Sequence, residues 1–204
     1  MGNAYIMVQQ LDMIATTKIR QLIGVALLGV FAVAMLGCSG ILENAQWRTF
    51  NSPRIGQFSI EYPSGWRSDR FFDGYKSDPE LVALFFIPAP QLFPGVKIAR
   101  RTVPSPTLDD VAEWGLERFE AINPDMSDEF EIFPLEDIIV NGAEAMSREF
   151  IMDTETLLPL KRKDVYIARE EDMLVITLIS TLNGYEDALP LFDHMINSFE
   201  SLEE

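Results

Sequence analysis

The chain has one cysteine, one histidine and half as many basic as acidic side chains. Each shortage closes off a class of protein. Cys38, standing alone, cannot form an intramolecular disulfide. His194, the single histidine, is too few for a metal site built on several imidazoles. It leaves one candidate for a Ser-His-Asp triad, with no G-x-S-x-G elbow beside it. The 16 Lys and Arg against 32 Asp and Glu give a net charge of −16, so there is no basic footprint for nucleic acid. There is no phosphate-binding loop, dinucleotide fingerprint, internal repeat or low-complexity segment.

What is present begins with an apolar run. Leu22–Cys38, LIGVALLGVFAVAMLGC, carries no charge and follows Lys18 and Arg20. A positive region, an apolar stretch and a small residue before a cut are the layout of an export signal. Met35-Leu36-Gly37-Cys38 resembles the lipobox of bacterial lipoproteins. That resemblance implies cleavage before Cys38 and diacylglycerol on its thiol. Stable attachment then takes two or more acyl chains, palmitate among them. Two alternatives stay open. Leu22–Leu42 is uncharged and long enough to span about 30 Å of hydrocarbon as an uncleaved anchor, and simple secretion is the third. In the anchored cases Lys18 and Arg20 stay inside and the rest is exported. Residues 1–12 fit no part of a signal, and Met13 reads as the initiator.

Removing 1–37 takes Lys18, Arg20 and Asp12 away. That reduces 16 basic and 32 acidic side chains to 14 and 31, a net charge of −17. Such a chain is repelled by anionic lipid, so the acyl group must hold it at the membrane. Otherwise the acidity serves solubility. The expected organisation is a signal over 1–37, a lipidated cysteine and tether over 38–56, and one domain over 57–201. Fully extended, residues 39–56 reach roughly 60 Å, with Trp47 and Phe50 docking part of them onto the domain.

Within the domain, Phe58, Ile60 and Tyr62 alternate with polar residues, the period of a half-buried strand. Leu81–Ile87 is an apolar run between Pro79 and Pro88, and Val96–Val103 reads as a further strand. Thr107 is a helix N-cap followed by Asp109 and Asp110. Leu108, Val111, Ala112, Gly115, Phe119 and Ile122 share one face of that helix, with Gly115 permitting close approach to a sheet. Trp114 projects off the stripe. Asn141-Gly142 between Phe130–Val140 and Ala143–Met152 is a hairpin signal, because a type I′ turn needs positive φ at both positions. Lys161–Arg169 and Met173–Thr181 form a second hairpin, the latter strand apolar on both faces and therefore central. Gly184–Phe199 is a closing helix, with Pro190 marking the first turn of its regular part. Consecutive hairpins and two amphipathic helices give an α+β fold: an antiparallel sheet flanked by helices.

Phe58-Ser59-Ile60-Glu61-Tyr62-Pro63 followed by Trp66 resembles the opening strand of PsbP-like domains. The helix from Thr107, Val140-Asn141-Gly142 leading into Glu149-Phe150, and the ending Asn197-Ser198-Phe199 match in order over about residues 57–201. The resemblance implies an α/β/α sandwich. It also implies a largely non-enzymatic protein. Family members in oxygenic phototrophs are lumenal accessory or assembly factors of photosystem II, others are exported lipoproteins, and some bind divalent metals.

Candidate sites follow from what chemistry remains. With Cys38 lipidated no thiol nucleophile is left, and no carboxylate pair stands out as a catalytic dyad, so no enzyme is expected. An acidic cluster, Asp125, Asp128, Glu129 and Glu131 with Glu136 and Asp137, offers oxygen ligands suited to Ca²⁺ or Mn²⁺. The alternative is a solvated face. Leu92, Phe93 and Trp114 are candidates for an exposed partner-binding surface. The alternative there is packing against the tether or a loop. Arg100-Arg101 and Lys161-Arg162-Lys163 are docking points or guards at strand ends and edges. His194 reads as an exposed helix residue beside Asp193. The combined expectation is a lipid-anchored binding protein on the extracytoplasmic side that assists a membrane protein complex. A metal- or small-ligand-binding lipoprotein is the alternative.

Overall fold

The chain divides into two units, Met1–Asn44 and Ala45–Glu204. The structure, a computed structural model, describes residues 45–53, 57–71, 78–88, 93–122, 130–152 and 158–202, all in the second unit. Eleven strands and two α-helices are found there. They run β1 (Trp47–Ser52), β2 (Phe58–Pro63), β3 (Arg67–Arg70), β4 (Leu81–Phe86), β5 (Gly95–Thr102), α1 (Leu108–Ile122), β6 (Phe130–Ile132), β7 (Glu136–Val140), β8 (Ala143–Met152), β9 (Leu160–Ala168), β10 (Asp172–Thr181), α2 (Tyr185–Asn197) and β11 (Glu200–Ser201). A single 3-10 turn, Leu182–Gly184, leads into α2.

The strands form two antiparallel sheets. The large one has the order β3-β4-β5-β10-β9-β8-β6, with β7 also on β8. The small one is β1-β2-β11. As its two-sided apolar pattern requires, β10 is central, between β5 and β9. Asn141 and Gly142 both have positive φ, 47° and 84°, which closes the β7–β8 hairpin as a type I′ turn with Val140 opposite Ala143.

Each face of the large sheet is covered. Leu174, Ile176 and Leu178 of β10 and Val165 and Ile167 of β9 pack in one cluster with Phe58 and Ile60 of β2 and Phe192, Met195 and Phe199 from α2 onward. The other face receives α1 through Val111, Ala112, Trp114 and Phe119. Burying a side chain of this size is worth about 1.5–3 kcal/mol, and the first cluster is the main core. Gly115 does what its place in the stripe implies: a methyl group there would overlap the Tyr166 ring of β9, so the helix backbone lies directly on the sheet.

Three local expectations differ from the structure. Trp47–Ser52, read as part of the tether, is a strand paired with β2 along its whole length, from Trp47 opposite Pro63 to Ser52 opposite Phe58. Its own apolar pattern is weak, and it forms because β2 offers a paired edge. The strand expected over Phe130–Val140 is broken at Phe133–Leu135, where Pro134 cannot donate to the ladder. Pro190 lies inside α2, which already begins at Tyr185.

Candidate functional site

Beneath α1 the large sheet is lined with charge. Asp164 on β9 is fully buried and accepts a two-pronged hydrogen bond from Arg162, 2.7 and 2.6 Å, and a third from the Thr177 hydroxyl at 2.7 Å. The Arg162 guanidinium lies over the rings of Phe119 and Phe150, at 4.7 and 5.3 Å. From α1, Arg118 reaches down to pair with Asp78. Glu80, next to β4, accepts from Arg101 at 2.6 Å and from the Trp114 indole N–H at 3.1 Å. Burial, with Arg162 and Arg118 nearby, pushes the Lys97 ammonium below its ordinary pKa. Burial and the adjacent Asp164 raise the Tyr166 hydroxyl. Buried charges stand only when paired and hydrogen-bonded, and here each carboxylate is committed to an arginine. The arrangement holds α1 to the sheet.

On the opposite face Asp172 pairs with Arg100 and Arg169, and Arg169 reaches on to the Gln57 carbonyl and the Ser201 hydroxyl. Tyr185 donates to Glu149 at 2.7 Å, and the Lys161 ammonium sits 2.9 Å from the same carboxylate. Burial opposes ionisation of Glu149, but the hydrogen bonds from Lys161 and Tyr185 outweigh it and hold the carboxyl below its usual range.

These contacts correct several sequence expectations. Trp114 is not an exposed anchor: it is 2 % exposed, hydrogen-bonded to Glu80 and capped by the Arg101 guanidinium. The buried arc of α1 is wider than its apolar stripe because it includes Trp114 and Arg118, one helical turn apart. Arg100, Arg101 and Arg162 guard no edge; β5 and β9 lie inside the sheet and these side chains are ion-paired. His194 is 36 % exposed and engaged: its ring stacks on Trp47 at 3.7 Å and its Nε2 lies 2.8 Å from Glu61. The Glu61 amide donates to Ser198 at the end of α2. Together these contacts clasp β1 and β2 to α2.

Phe93, before the cis-linked Pro94, is half-buried. Cys38, Leu92, Asp125, Asp128 and Glu129 lie outside the described residues. Glu131 stands opposite Ile151 and Asp137 opposite Met146. Strand alternation puts those two acids on opposite faces of the sheet. Among the described residues no three Asp, Glu, His or Cys side chains gather as metal ligands.

A groove is the feature that sequence reasoning missed. It encloses ≈ 530 Å³ where the start of α1 meets the margin of the sheet, and it is lined by Leu108, Asp137, Ile138, Ile139, Glu144 and Met146 among others. Ile139 is 62 % exposed. The signal was available: adjacent isoleucines on a strand point to opposite faces, so only one of Ile138 and Ile139 can serve the main core.

No protein-family model matches the chain, and no curated protein matches it in sequence. Solved structures do match in shape. Cyanobacterial PsbP (CyanoP) from Synechocystis superposes with a TM-score of 0.59 at 14% identity, covering 77% of this chain and 93% of that one. The fold is PsbP-like. A point variant of the protein Mog1 superposes at 0.53 with 10% identity, over 78% of this chain and 97% of that one. A Bacteroides thetaiotaomicron structure gives 0.52 at 17% identity over 78% of this chain, which spans 50% of that protein's length. At these identities the likeness concerns the fold alone.

Proposed function

We propose that this PsbP-like protein is an exported, lipid-anchored binding protein that assists the assembly or stability of a membrane protein complex without catalysing a reaction. One observation carries the non-catalytic part. Among the described residues, the buried aspartates and their arginines are spent on holding elements together: Arg162 with Asp164, Arg118 with Asp78, Arg100 and Arg169 with Asp172. The single histidine is likewise occupied by Trp47 and Glu61. Anchoring rests on the signal-like run and Cys38. With β1 starting at Trp47, the chain between the acylated cysteine and the fold reaches at most about 30 Å, half the length that a tether to residue 56 would allow. So short a leash keeps the domain against its own membrane, which favours a partner in that membrane.

Two measurements test the reading. The mass of the N-terminal peptide of the exported protein should correspond to a diacylated or triacylated Cys38, and an intact Met1 or Met13 terminus overturns the anchor. Affinity purification of a C-terminally tagged chain from gently solubilised native membranes should bring down a stoichiometric partner complex. A chain that purifies alone overturns the accessory role.

A further inference from the structure

The margin of the large sheet at β7 combines three properties. The first is exposed apolar surface. Ile139 opposite Glu144 and Ile132 opposite Phe150 stand on the α1 side of the sheet, both exposed. The second is an acidic rim: Asp137 and Glu144 line the groove that holds Ile139 and Leu108. The third is an open backbone edge. Val140 and Ala143 flank a two-residue turn and are a hydrogen-bonded pair, so by alternation the N–H and C=O groups of Asp137 and Ile139 point away from β8. No described strand pairs with that side of β7. Its guards are only the charges of Glu136 and Asp137; neither lysine nor proline occurs within β7.

We propose that this margin docks an extended segment of a partner protein that is both basic and apolar, adding to the sheet as a strand beside β7. In strand addition the backbone ladder supplies affinity and alternate side chains supply specificity. Residues two apart on the incoming strand share the groove face. One of them should be apolar, against Ile139 and Leu108, and the other Lys or Arg, against Asp137 and Glu144. A second copy of this chain is the wrong occupant: it would bring the same acids to the seam, from a molecule of net charge −16. The inference names the contact surface of the binding role proposed above and rests on that reading.

The test uses the full chain in detergent and two fluorescent peptides, Thr-Val-Thr-Lys-Thr-Val-Thr and the same peptide with Glu in place of Lys. Anisotropy should show binding of the Lys peptide. The double variant Asp137→Lys with Glu144→Lys should weaken that binding by roughly tenfold and favour the Glu peptide, two charge pairs having been reversed. Ile139→Thr, which keeps a β-branched side chain at an exposed position, should weaken both. Hydrogen exchange should slow at residues 136–140 when the Lys peptide is bound. Equal binding of both peptides, a preference that survives the double variant, or slowed exchange elsewhere overturns the proposal. So does a homodimer cross-linked through β7, which would make a second copy the occupant. If the complex from native membranes survives Ile139→Thr and the double variant, the groove fails while the accessory role stands. If no complex forms with the unaltered chain, it is the accessory role that fails.

Discussion

The two faces of the large sheet are built on different physics. On the face toward α2 and the small sheet, β10 presents Leu174, Ile176 and Leu178, and β9 presents Val165 and Ile167, against phenylalanines and aliphatics. On the face toward α1 the same strands present Thr177, Arg162, Asp164 and Tyr166, and α1 answers with Arg118 and Trp114. The residues named on both faces are buried. The lesson is that burial and apolarity are separate properties. Apart from the pairing of Asp172 with Arg100 and Arg169, dispersion and the hydrophobic effect hold the first face and tolerate shape-conserving change. The second depends on each charge meeting its partner, since a buried charge left alone is expensive.

The largest predicted effects set these faces against each other. Asp164→Ala strands the Arg162 guanidinium against two phenylalanine rings and should cost about 3–5 kcal/mol in urea unfolding. Leu174→Ala, at the matching depth on the other face, should cost about 2–5 kcal/mol. The joint replacement Arg162→Met with Asp164→Leu separates the mechanisms: it should recover most of the Asp164→Ala loss, because no lone charge remains. A double variant as unstable as the single one would show that the pair itself, and not the stranding of one member, sustains this face.

Gly115→Ala probes the closeness of α1 to the charged face. Alanine favours a helix by about 1 kcal/mol over glycine, yet here its methyl must displace the Tyr166 ring. A net loss of about 1–3 kcal/mol is expected from overpacking, read as a lower thermal midpoint. A rise in that midpoint would mean that α1 can lift from the sheet freely.

Trp47→Ala should be milder, about 1 kcal/mol, since it removes one ring stack on a half-exposed histidine. Hydrogen exchange should show the loss confined to β1 and the end of α2, leaving the α1 face unmoved. The smallest effect is in pH. Glu149 titrates below its ordinary value in the fold. Its contribution is therefore full above about pH 4.5 and disappears as pH falls through the lower folded value. Tyr185→Phe removes one of the hydrogen bonds responsible. The variant should therefore lose less stability on acidification than the parent across that window, as unfolding midpoints between pH 6 and 3 will show.

How far this was legible from sequence differs between the faces. The apolar side of the core was legible in part: Met173–Thr181 reads as apolar on both faces and therefore central, and Phe192 falls in the stripe of the closing helix. Asn141-Gly142 fixed a hairpin, and Gly115 foretold the contact of α1 with the sheet. The charged face was opaque. Arg162, Asp164 and Arg118 have the composition of a surface, and nothing local reveals that β9 is interior or that Asp78 waits 40 residues before Arg118. Trp114 was misplaced for the same reason: its burial depends on charges that a helical stripe treats as solvent. β1 escaped notice because its order comes from β2 and the Trp47–His194 stack, both remote in sequence. The groove depended on knowing which strand ends the sheet.

The stacking of Trp47 on His194 has a mechanical consequence. If Cys38 is acylated as proposed, tension between membrane and partner would enter the fold at the start of β1, by Gln46 and Trp47. From that end an antiparallel strand would unzip pair by pair, past the Gln46–Ser64 hydrogen bond and then Trp47 opposite Pro63. In the proposed anchored protein the stack of Trp47 on His194 would be the latch at the mouth of that zipper, remote from the buried charges beneath α1.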